Sequence, residues 1–169
     1  MISNYKILLK GGMNLKELII QILADRGVTI KEIADLVYEL QSKYGPLTIE
    51  DCEESIDRVL EKREVQNAII TGVILDLYTE EKLLPEPLQG ILERDEPLYG
   101  IDEILALSIT NIYGTIGLTN FGYLDKNKFG ILKSLNNSDE KVHTFLDDLV
   151  AAVAAAASAR IAHSKFANN

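Results

Sequence analysis

Residues 142–159 read VHTFLDDLVAAVAAAASA, and this stretch decides the fold. After its two adjacent aspartates, residues 149–159 contain no charged side chain and consist mostly of alanine. Alanine has the highest helix propensity, and its small side chain lets neighbouring backbones approach closely. The stretch therefore predicts a helix from about Thr144 to His163 that lies at the centre of a helical bundle.

Upstream of this helix, apolar residues recur at helical spacing along most of the chain. Capping residues, glycines and prolines separate the segments. The first predicted helix runs from Leu15 to Gly27, and the second from the capping box Thr29-Ile30-Lys31-Glu32 to Gly45-Pro46. A third begins at Thr48 and continues through Val65 toward Leu77, and a short fourth lies around Leu88–Leu92. From Tyr99 to Leu124, glycines 114, 117 and 122 are expected to divide the chain into shorter helices. The sequence has no alternating strand pattern. The expected fold is all-α, a single compact multi-helix domain with central apolar helices.

The composition sets limits on the class of protein. The chain has 169 residues, 47% apolar and 25% charged, which suits one globular domain over residues 1–169. A net charge of −9 and scattered lysines and arginines argue against a nucleic-acid partner. The single cysteine, Cys52, excludes an internal disulfide and a cysteine-cluster zinc site, and we expect it to be a core thiol.

The uncharged segments are poor candidates for membrane spans. Ile104–Leu124 contains six polar side chains and three glycines. Leu149–Ala159 is shorter than the roughly 20 apolar residues that a span needs. Residues 1–12 lack the features of a secretory signal, and we expect them to be a disordered or non-native leader. The sequence thus predicts a cytoplasmic protein, with at most peripheral contact to the inner face of the membrane.

The acidic side chains of the second half are concentrated in a few places. Residues 97–169 contain 7 acidic side chains, and 5 of them lie at Asp102-Glu103, Asp125 and Asp147-Asp148. An ionised carboxylate in apolar surroundings is unfavourable unless a cation or several hydrogen-bond donors meet it. Oxygen ligands without a cysteine cluster favour Mg²⁺, with Mn²⁺ as a second candidate. These five residues are therefore candidate metal ligands.

The two acidic pairs also have a purely structural interpretation. Asp102-Glu103 follows Gly100 and suits the positive end of a helix dipole. Thr144 and Asp147 have the spacing of a capping box, which would explain Asp147 but not Asp148. Both interpretations remain open for each pair.

The third cluster combines one acid with two cations. Asp125 lies beside Lys126 and Lys128, which is typical of a surface turn with a local ion pair. In the functional interpretation, Asp125 is a metal ligand and the lysines bind phosphate. Two weaker signals favour structural roles: Gly114–Gly117 lacks the lysine of a phosphate-binding loop, and His143 is more typical of a cap or surface position than of a site.

Three blocks in the second half resemble the phosphatidylglycerophosphatase A superfamily, specifically its soluble branch in Gram-positive bacteria, the low-temperature-requirement C-like proteins. The blocks are YGIDEILAL at residues 99–107, LDKNKFGIL at 124–132 and VHTFLDDLVA at 142–151. They match, in order, the family's D-E pair, its D-x-x-K-P segment and its L-D-D-x-x-A-G segment. For the soluble branch the likeness extends upstream to residues 62–69 and 27–36, so it covers most of the chain.

The resemblance implies an all-helical fold and Mg²⁺-dependent hydrolysis of a phosphate monoester, in this family the terminal phosphate of phosphatidylglycerophosphate. The implied partners are this phosphomonoester, which can be a lipid, and further copies of the chain in a homo-oligomer. By residue-by-residue transfer, the implied metal ligands are Asp102, Glu103, Asp125, Asp147 and Asp148, and the implied catalytic residues are Asp102, Glu103, Asp148 and Lys128.

The sequence also departs from the family pattern. Phe129 stands where the family has a proline, Ala152 stands where it has a glycine, and a glycine-rich N-terminal element has no counterpart. The alternative is therefore a helical binding or regulatory protein that kept the fold without catalysis. A nucleotide pyrophosphohydrolase is a weaker alternative, suggested by the spacings Glu61-x-x-Glu64 and Glu93-x-x-Glu96 without an E-x-x-D partner.

The charge balance predicts the behaviour of the protein at lipid surfaces. Because the net charge is −9 and basic clusters are lacking, we expect weak adsorption to anionic vesicles in a chelating buffer. Co-sedimentation with such vesicles measures this, and strong binding without divalent cations would contradict the prediction.

Overall fold

The computed structural model describes residues 13–138 and 141–166, with side chains through residue 164. The expected leader, residues 1–12, lies outside the described residues. The described chain contains α-helices and 3₁₀ turns but no strand, which confirms the all-α prediction. The helices are α1 (Leu15–Asp25), α2 (Ile30–Gln41), α3 (Ile49–Leu60), α4 (Arg63–Glu80), α5 (Leu88–Glu93), α6 (Ile101–Thr110), α7 (Gly114–Asn127), α8 (Ile131–Asn136) and α9 (Leu146–Phe166).

Helix α9 is the centre of the structure. Every residue from 144 through 159 is buried, and α2, α3, α4, α6, α7 and α8 pack around the helix. Its alanines permit this arrangement because they lose no rotamer freedom on burial and keep interhelical distances short. The Ser55 hydroxyl of α3 donates a hydrogen bond to the Ala157 carbonyl at 2.9 Å. The prediction of a central alanine-rich helix is confirmed.

Helix α6 packs against α9, but it lies at the edge of the bundle, although the sequence predicts central apolar helices. Ala106 and Ile109 are buried against the core, whereas Ile101 and Ile104 are 52% and 61% exposed. Helices α4, α7 and α9 contact α6, and its outer side faces solvent. Apolar periodicity shows that a helix can be buried, but it does not tell how much of the circumference is covered.

One segment of the described chain, Ile101–Asn127, is long and apolar enough to cross a membrane, and 28% of its most apolar window is buried. The 3₁₀ turn Asn111–Tyr113 and Gly114, with φ of +70°, divide this segment into α6 and α7. A single segment of this kind is weak evidence for a span, because the core helix of a soluble protein can meet the same criteria.

The start of α2 follows the sequence pattern, whereas the third predicted helix does not. The Thr29 side chain accepts a bond from the Glu32 backbone N–H, and Glu32 reciprocates, so the predicted capping box is confirmed. The helix predicted from Thr48 through Val65 is divided between α3 and α4, where Lys62 is extended with ψ of 127°. Apolar spacing continues across this break, so periodicity alone could not reveal it.

Close packing at the start of α9 depends on Gly72 of α4. A Cβ atom on Gly72 would lie 2.6 Å from Leu149 Cδ1 and 2.8 Å from Phe145 Cβ. Real Cβ atoms do not approach other carbons this closely, so only glycine lets α4 reach the beginning of α9 without displacing it.

Substitution of Gly72 tests this packing. We expect Gly72→Ala to lower the free energy of unfolding by about 1–3 kcal/mol, because overpacking outweighs the gain in helix propensity. The matched control is Gly122→Ala on α7, where a Cβ atom would meet nothing within 4 Å. This substitution should raise the free energy of unfolding by about 0.5–1 kcal/mol. Urea unfolding measures both, and equal effects in the two variants would contradict the interpretation.

Candidate metal centre

The first turns of α6 and α9 bring the two acidic pairs together. One carboxylate oxygen each from Asp102, Glu103 and Asp148 lies within 4.8 Å of the other two. Tyr99 stacks edge to face on Phe145 with ring centroids 6.0 Å apart, which joins the residues that precede these two helices. The helices therefore enter the bundle side by side, and their acidic first turns form one cluster.

The cluster lies in a polar cleft of about 280 Å³. The cleft is lined by Asp102, Glu103, Asp125, Lys128, Asp147 and Asp148, together with Asp95, Glu96, Pro97, Leu98, Tyr99, Asn136 and Thr144. The five carboxylates that the sequence gives as candidate metal ligands thus all line one cleft. Whether they bind a metal ion stays a prediction.

The carboxylates of the cluster are close to one another and poorly supplied with donors. Asp102 Oδ1 and Glu103 Oε2 are buried oxygens without a hydrogen-bond partner among the described residues. The neighbouring carboxyl group of Asp102, together with burial, raises the pKa of Glu103 to about 6. Burial and the charge of Asp147 raise the pKa of Asp148 to about 8. A set of hard, unpartnered carboxylate oxygens fits a divalent cation such as Mg²⁺ or Mn²⁺.

Lys128 is the cation of this cleft. Its Nζ lies 2.7 Å from Asp147 Oδ2, 3.0 Å from Asp125 Oδ1 and 3.5 Å from Asp148 Oδ1. Burial alone would lower the pKa of Lys128, but the charges of Asp147 and Asp148 and the bond to Asp125 hold it above its usual value. The ammonium group therefore stays charged.

The backbone of Lys128 is left-handed, with φ of +38°. This conformation costs a non-glycine residue on the order of 1 kcal/mol, and it ends α7 at this residue. A glycine would adopt this left-handed conformation more easily. The lysine, however, supplies the ammonium group that contacts the three aspartates of the cleft.

The adjacent aspartates of α9 have different surroundings. Asp147 contacts Lys128 and accepts a hydrogen bond from the Asp148 backbone N–H at 2.9 Å. Asp148 faces Asp102 and Glu103, and its weaker contact with Lys128 leaves its charge incompletely balanced. The structure thus brings Asp102, Glu103 and Asp148 into one cluster, while Asp125 and Asp147 lie against Lys128 at its side.

The capping interpretation of Asp147 is wrong. The Thr144 hydroxyl donates to the Leu92 carbonyl at 2.8 Å instead of capping α9. The backbone N–H groups of Phe145 and Leu146 donate to Asp76 of α4, at 3.1 and 3.0 Å. Sequence reasoning missed Asp76, although it is the single charge within the apolar residues 68–79 and could have been found by that signal.

The remaining sequence candidates lie outside the cluster. Lys126 is exposed and, unlike Lys128, does not line the cleft. His143 contacts the Leu135 carbonyl through Nδ1 at 3.0 Å and lines a neighbouring cavity. Gly117 is a packing glycine, because a Cβ there would lie 2.9 Å from the Thr110 carbonyl oxygen. Cys52 is buried, as expected for a core thiol.

The raised pKa of Asp148 predicts a specific pH dependence of stability. Between the unfolded pKa of about 4 and the folded pKa of about 8, the folded protein holds a proton that the unfolded chain has released. Metal-free protein should therefore lose stability relative to Asp148→Asn as pH rises from 5 to 8, by at most about 1.4 kcal/mol per pH unit. Above pH 8 the difference in free energy of unfolding between the wild type and Asp148→Asn should no longer change with pH.

Urea unfolding in a chelating buffer at several pH values measures this difference. Glu39→Gln, which removes an exposed carboxylate of α2, is the control and should run parallel to the wild type. Parallel curves for the wild type and Asp148→Asn would show that the Asp148 carboxylate is not perturbed.

Comparisons with known proteins identify the family of this chain. The family model described as Phosphatidylglycerophosphatase A matches residues 19–163. YpjQ of Bacillus subtilis is 60% identical over 143 residues, which cover 84% of this chain and 81% of YpjQ. YutG of the same organism is also 60% identical over 143 residues, covering 83% and 86% of the two chains. The crystal structure of the low temperature requirement C protein from Listeria monocytogenes superposes with a TM-score of 0.88 at 54% identity, over 91% of this chain and 98% of that one. The chain therefore belongs to the phosphatidylglycerophosphatase A family.

Proposed function

We propose that this protein is a Mg²⁺-dependent phosphatase that hydrolyses a phosphate monoester, with phosphatidylglycerophosphate as the substrate that its family suggests. The observation that carries the proposal is the convergence of Asp102, Glu103 and Asp148, with one oxygen of each within 4.8 Å of the others. A protein without a cation or substrate at this place would gain nothing from three close carboxylates, since unit charges about 4 Å apart repel by roughly 4 kcal/mol at an effective dielectric near 20.

Each residue of the cleft has a role in the proposed reaction. Asp102, Glu103 and Asp148 hold the divalent ion, and Asp147 and Asp125 keep Lys128 in place. Bound Mg²⁺ supplies Lewis-acid chemistry, which polarises phosphoryl oxygens and lowers the pKa of a coordinated water. The charged Lys128 side chain binds the phosphate oxygens and stabilises the negative charge that builds up on them.

The surroundings of the cleft support a substrate larger than phosphate itself. A second polar cavity of about 490 Å³ shares Asp95, Asn136, Thr144 and Asp147 with the cleft, so there is room for the alcohol part of the ester. Leu98 lines the cleft and is fully exposed, which suits the apolar part of a lipid. We therefore favour a lipid phosphomonoester, reached by a cytoplasmic protein in peripheral contact with the membrane.

We also expect the protein to act as a homo-oligomer. Ile112 and Leu118 are exposed, as are Ile101 and Ile104 of α6, and exposed apolar surface is typical of contacts between subunits. Sedimentation velocity measures the oligomeric state.

Phosphate release tests the proposed activity. We expect the wild type to hydrolyse phosphatidylglycerophosphate in mixed micelles with Mg²⁺ or Mn²⁺, and to lose activity in a chelating buffer. Asp148→Asn should lower kcat/KM about a hundredfold or more, because it removes a cation ligand from the cluster. A panel of water-soluble phosphomonoesters, assayed in parallel, identifies the substrate class.

Glu39→Gln is the matched control, since it removes one negative charge from an exposed position of α2. Its activity should equal that of the wild type. Melting curves of the wild type with and without Mn²⁺ provide the second readout, because ligand binding to the folded state raises the melting temperature. No phosphate release from any ester and no Mn²⁺-dependent shift would favour a binding protein of the same fold.

A further inference from the structure

We infer that one stripe of α4, formed by Gly72, Asp76 and Glu80, is the device that positions the Asp147-Asp148 pair. The three residues are four apart, so they lie on one face of the helix. This inference rests on the proposed function in so far as the aspartates serve a metal ion, and it assigns positioning roles to residues that do not line the cluster themselves.

Asp76 holds the two residues directly before the pair. Its carboxylate is completely buried and accepts hydrogen bonds from the backbone N–H groups of Phe145 and Leu146. Phe145 directly precedes α9 and Leu146 is its first residue, and backbone N–H groups at this end of a helix have no partner within the helix. A carboxylate that binds two N–H groups fixes the direction in which α9 begins, and hence where Asp147 and Asp148 point.

Glu80 holds the approach to the helix, one turn further along α4. Glu80 Oε1 accepts a bond from the Val142 backbone N–H at 2.9 Å and one from Arg26 Nη2 at 2.7 Å. The fully buried Arg26 side chain also donates to the Val142 carbonyl at 2.6 Å. The peptide groups on both sides of Val142 are thus bound to one ion pair, formed by Arg26 directly after α1 and Glu80 of α4.

Gly72 completes the stripe on the other side of Asp76. Its missing side chain leaves the space that Leu149 and Phe145 occupy, so α4 and the first turn of α9 are in direct contact. From Val142 to Leu149 the chain is therefore held at intervals by one helix. Displacement of this segment by about 1 Å would separate Asp148 from Asp102 and Glu103, which belong to a different helix.

The variant Asp76→Asn tests the inference with nearly unchanged side-chain volume. An amide can accept from one of the two N–H groups, but its own NH₂ group then faces the other donor. We expect the Kd for Mn²⁺ alone, measured by titration calorimetry, to rise about tenfold or more. In metal-free protein, the amides of residues 145–148 should exchange with deuterium about tenfold faster, while those of 151–159 change less.

The matched control is Ser55→Ala, which removes a buried hydrogen bond to the same helix at Ala157, far along the chain from the pair. This variant should lower the free energy of unfolding, but its Kd for Mn²⁺ should stay within about twofold of the wild type. The amides of residues 145–148 should not exchange with deuterium faster than the rest of α9. Equal effects of Asp76→Asn and Ser55→Ala on both readouts would reduce the stripe to a general stabilising role and overturn the inference.

A second variant covers the case in which Asp76→Asn does not fold. Glu80→Gln keeps an oxygen acceptor but weakens the bond to Arg26, and it should raise the Kd for Mn²⁺ about threefold. An unchanged Kd and unchanged exchange at residues 142–148 would overturn the inference. If the wild type binds no Mn²⁺, the proposed function fails, and the exchange rates of the metal-free variants alone decide whether the stripe positions the pair.

Discussion

Two adjacent carboxyl groups lie at the start of a helix that is buried from residue 144 through residue 159, and the rest of the structure is arranged around this condition. Helix α9 is covered along residues 144–159, so Asp147 and Asp148 cannot both reach bulk water. Lys128 comes from the end of α7, in a backbone conformation that disfavours lysine, to meet them. Asp76 accepts hydrogen bonds from the backbone N–H groups of Phe145 and Leu146 at the start of the helix. Asp147 and Asp148 are not needed to bind these two groups, and their side chains line the cleft.

The two neighbouring aspartates illustrate how surroundings give different properties to identical side chains. Asp147 lies 2.7 Å from the Lys128 ammonium group, which opposes the rise in the pKa of Asp147 that burial causes. Asp148 faces two further carboxylates, and burial with the neighbouring charge raises its pKa to about 8. Asp147 therefore lies against the lysine of the cleft, while Asp148 lies against the other two carboxyl groups. Such a division is typical of sites in which electrostatics are arranged before a ligand arrives.

The sequence predicts the parts of this structure that depend on local chemistry. The alanine-rich helix, the Thr29 capping box and the core position of Cys52 follow from composition and spacing over a few residues. The three acidic clusters could also be identified, because charges within long uncharged segments are conspicuous.

Features that depend on distant partners could not be predicted. The cap of α9 comes from Asp76, about 70 positions earlier, so the nearby Thr144 offered a false alternative. The break between α3 and α4 interrupts no apolar pattern, and the exposure of Ile101 depends on which helices happen to cover α6. The cap of α9 and the exposure of Ile101 depend on tertiary contacts, which a single sequence does not specify.

The same long separations determine when the cleft can exist during folding. Arg26 binds the carbonyl of a residue 116 positions away, and Thr144 binds one 52 positions away. Contacts that close such long loops form late, after local helices have already appeared. Asp102 and Glu103 on α6 and Asp148 on α9 therefore come together only when α9 has packed into the bundle, so the acidic cleft forms with the completed fold.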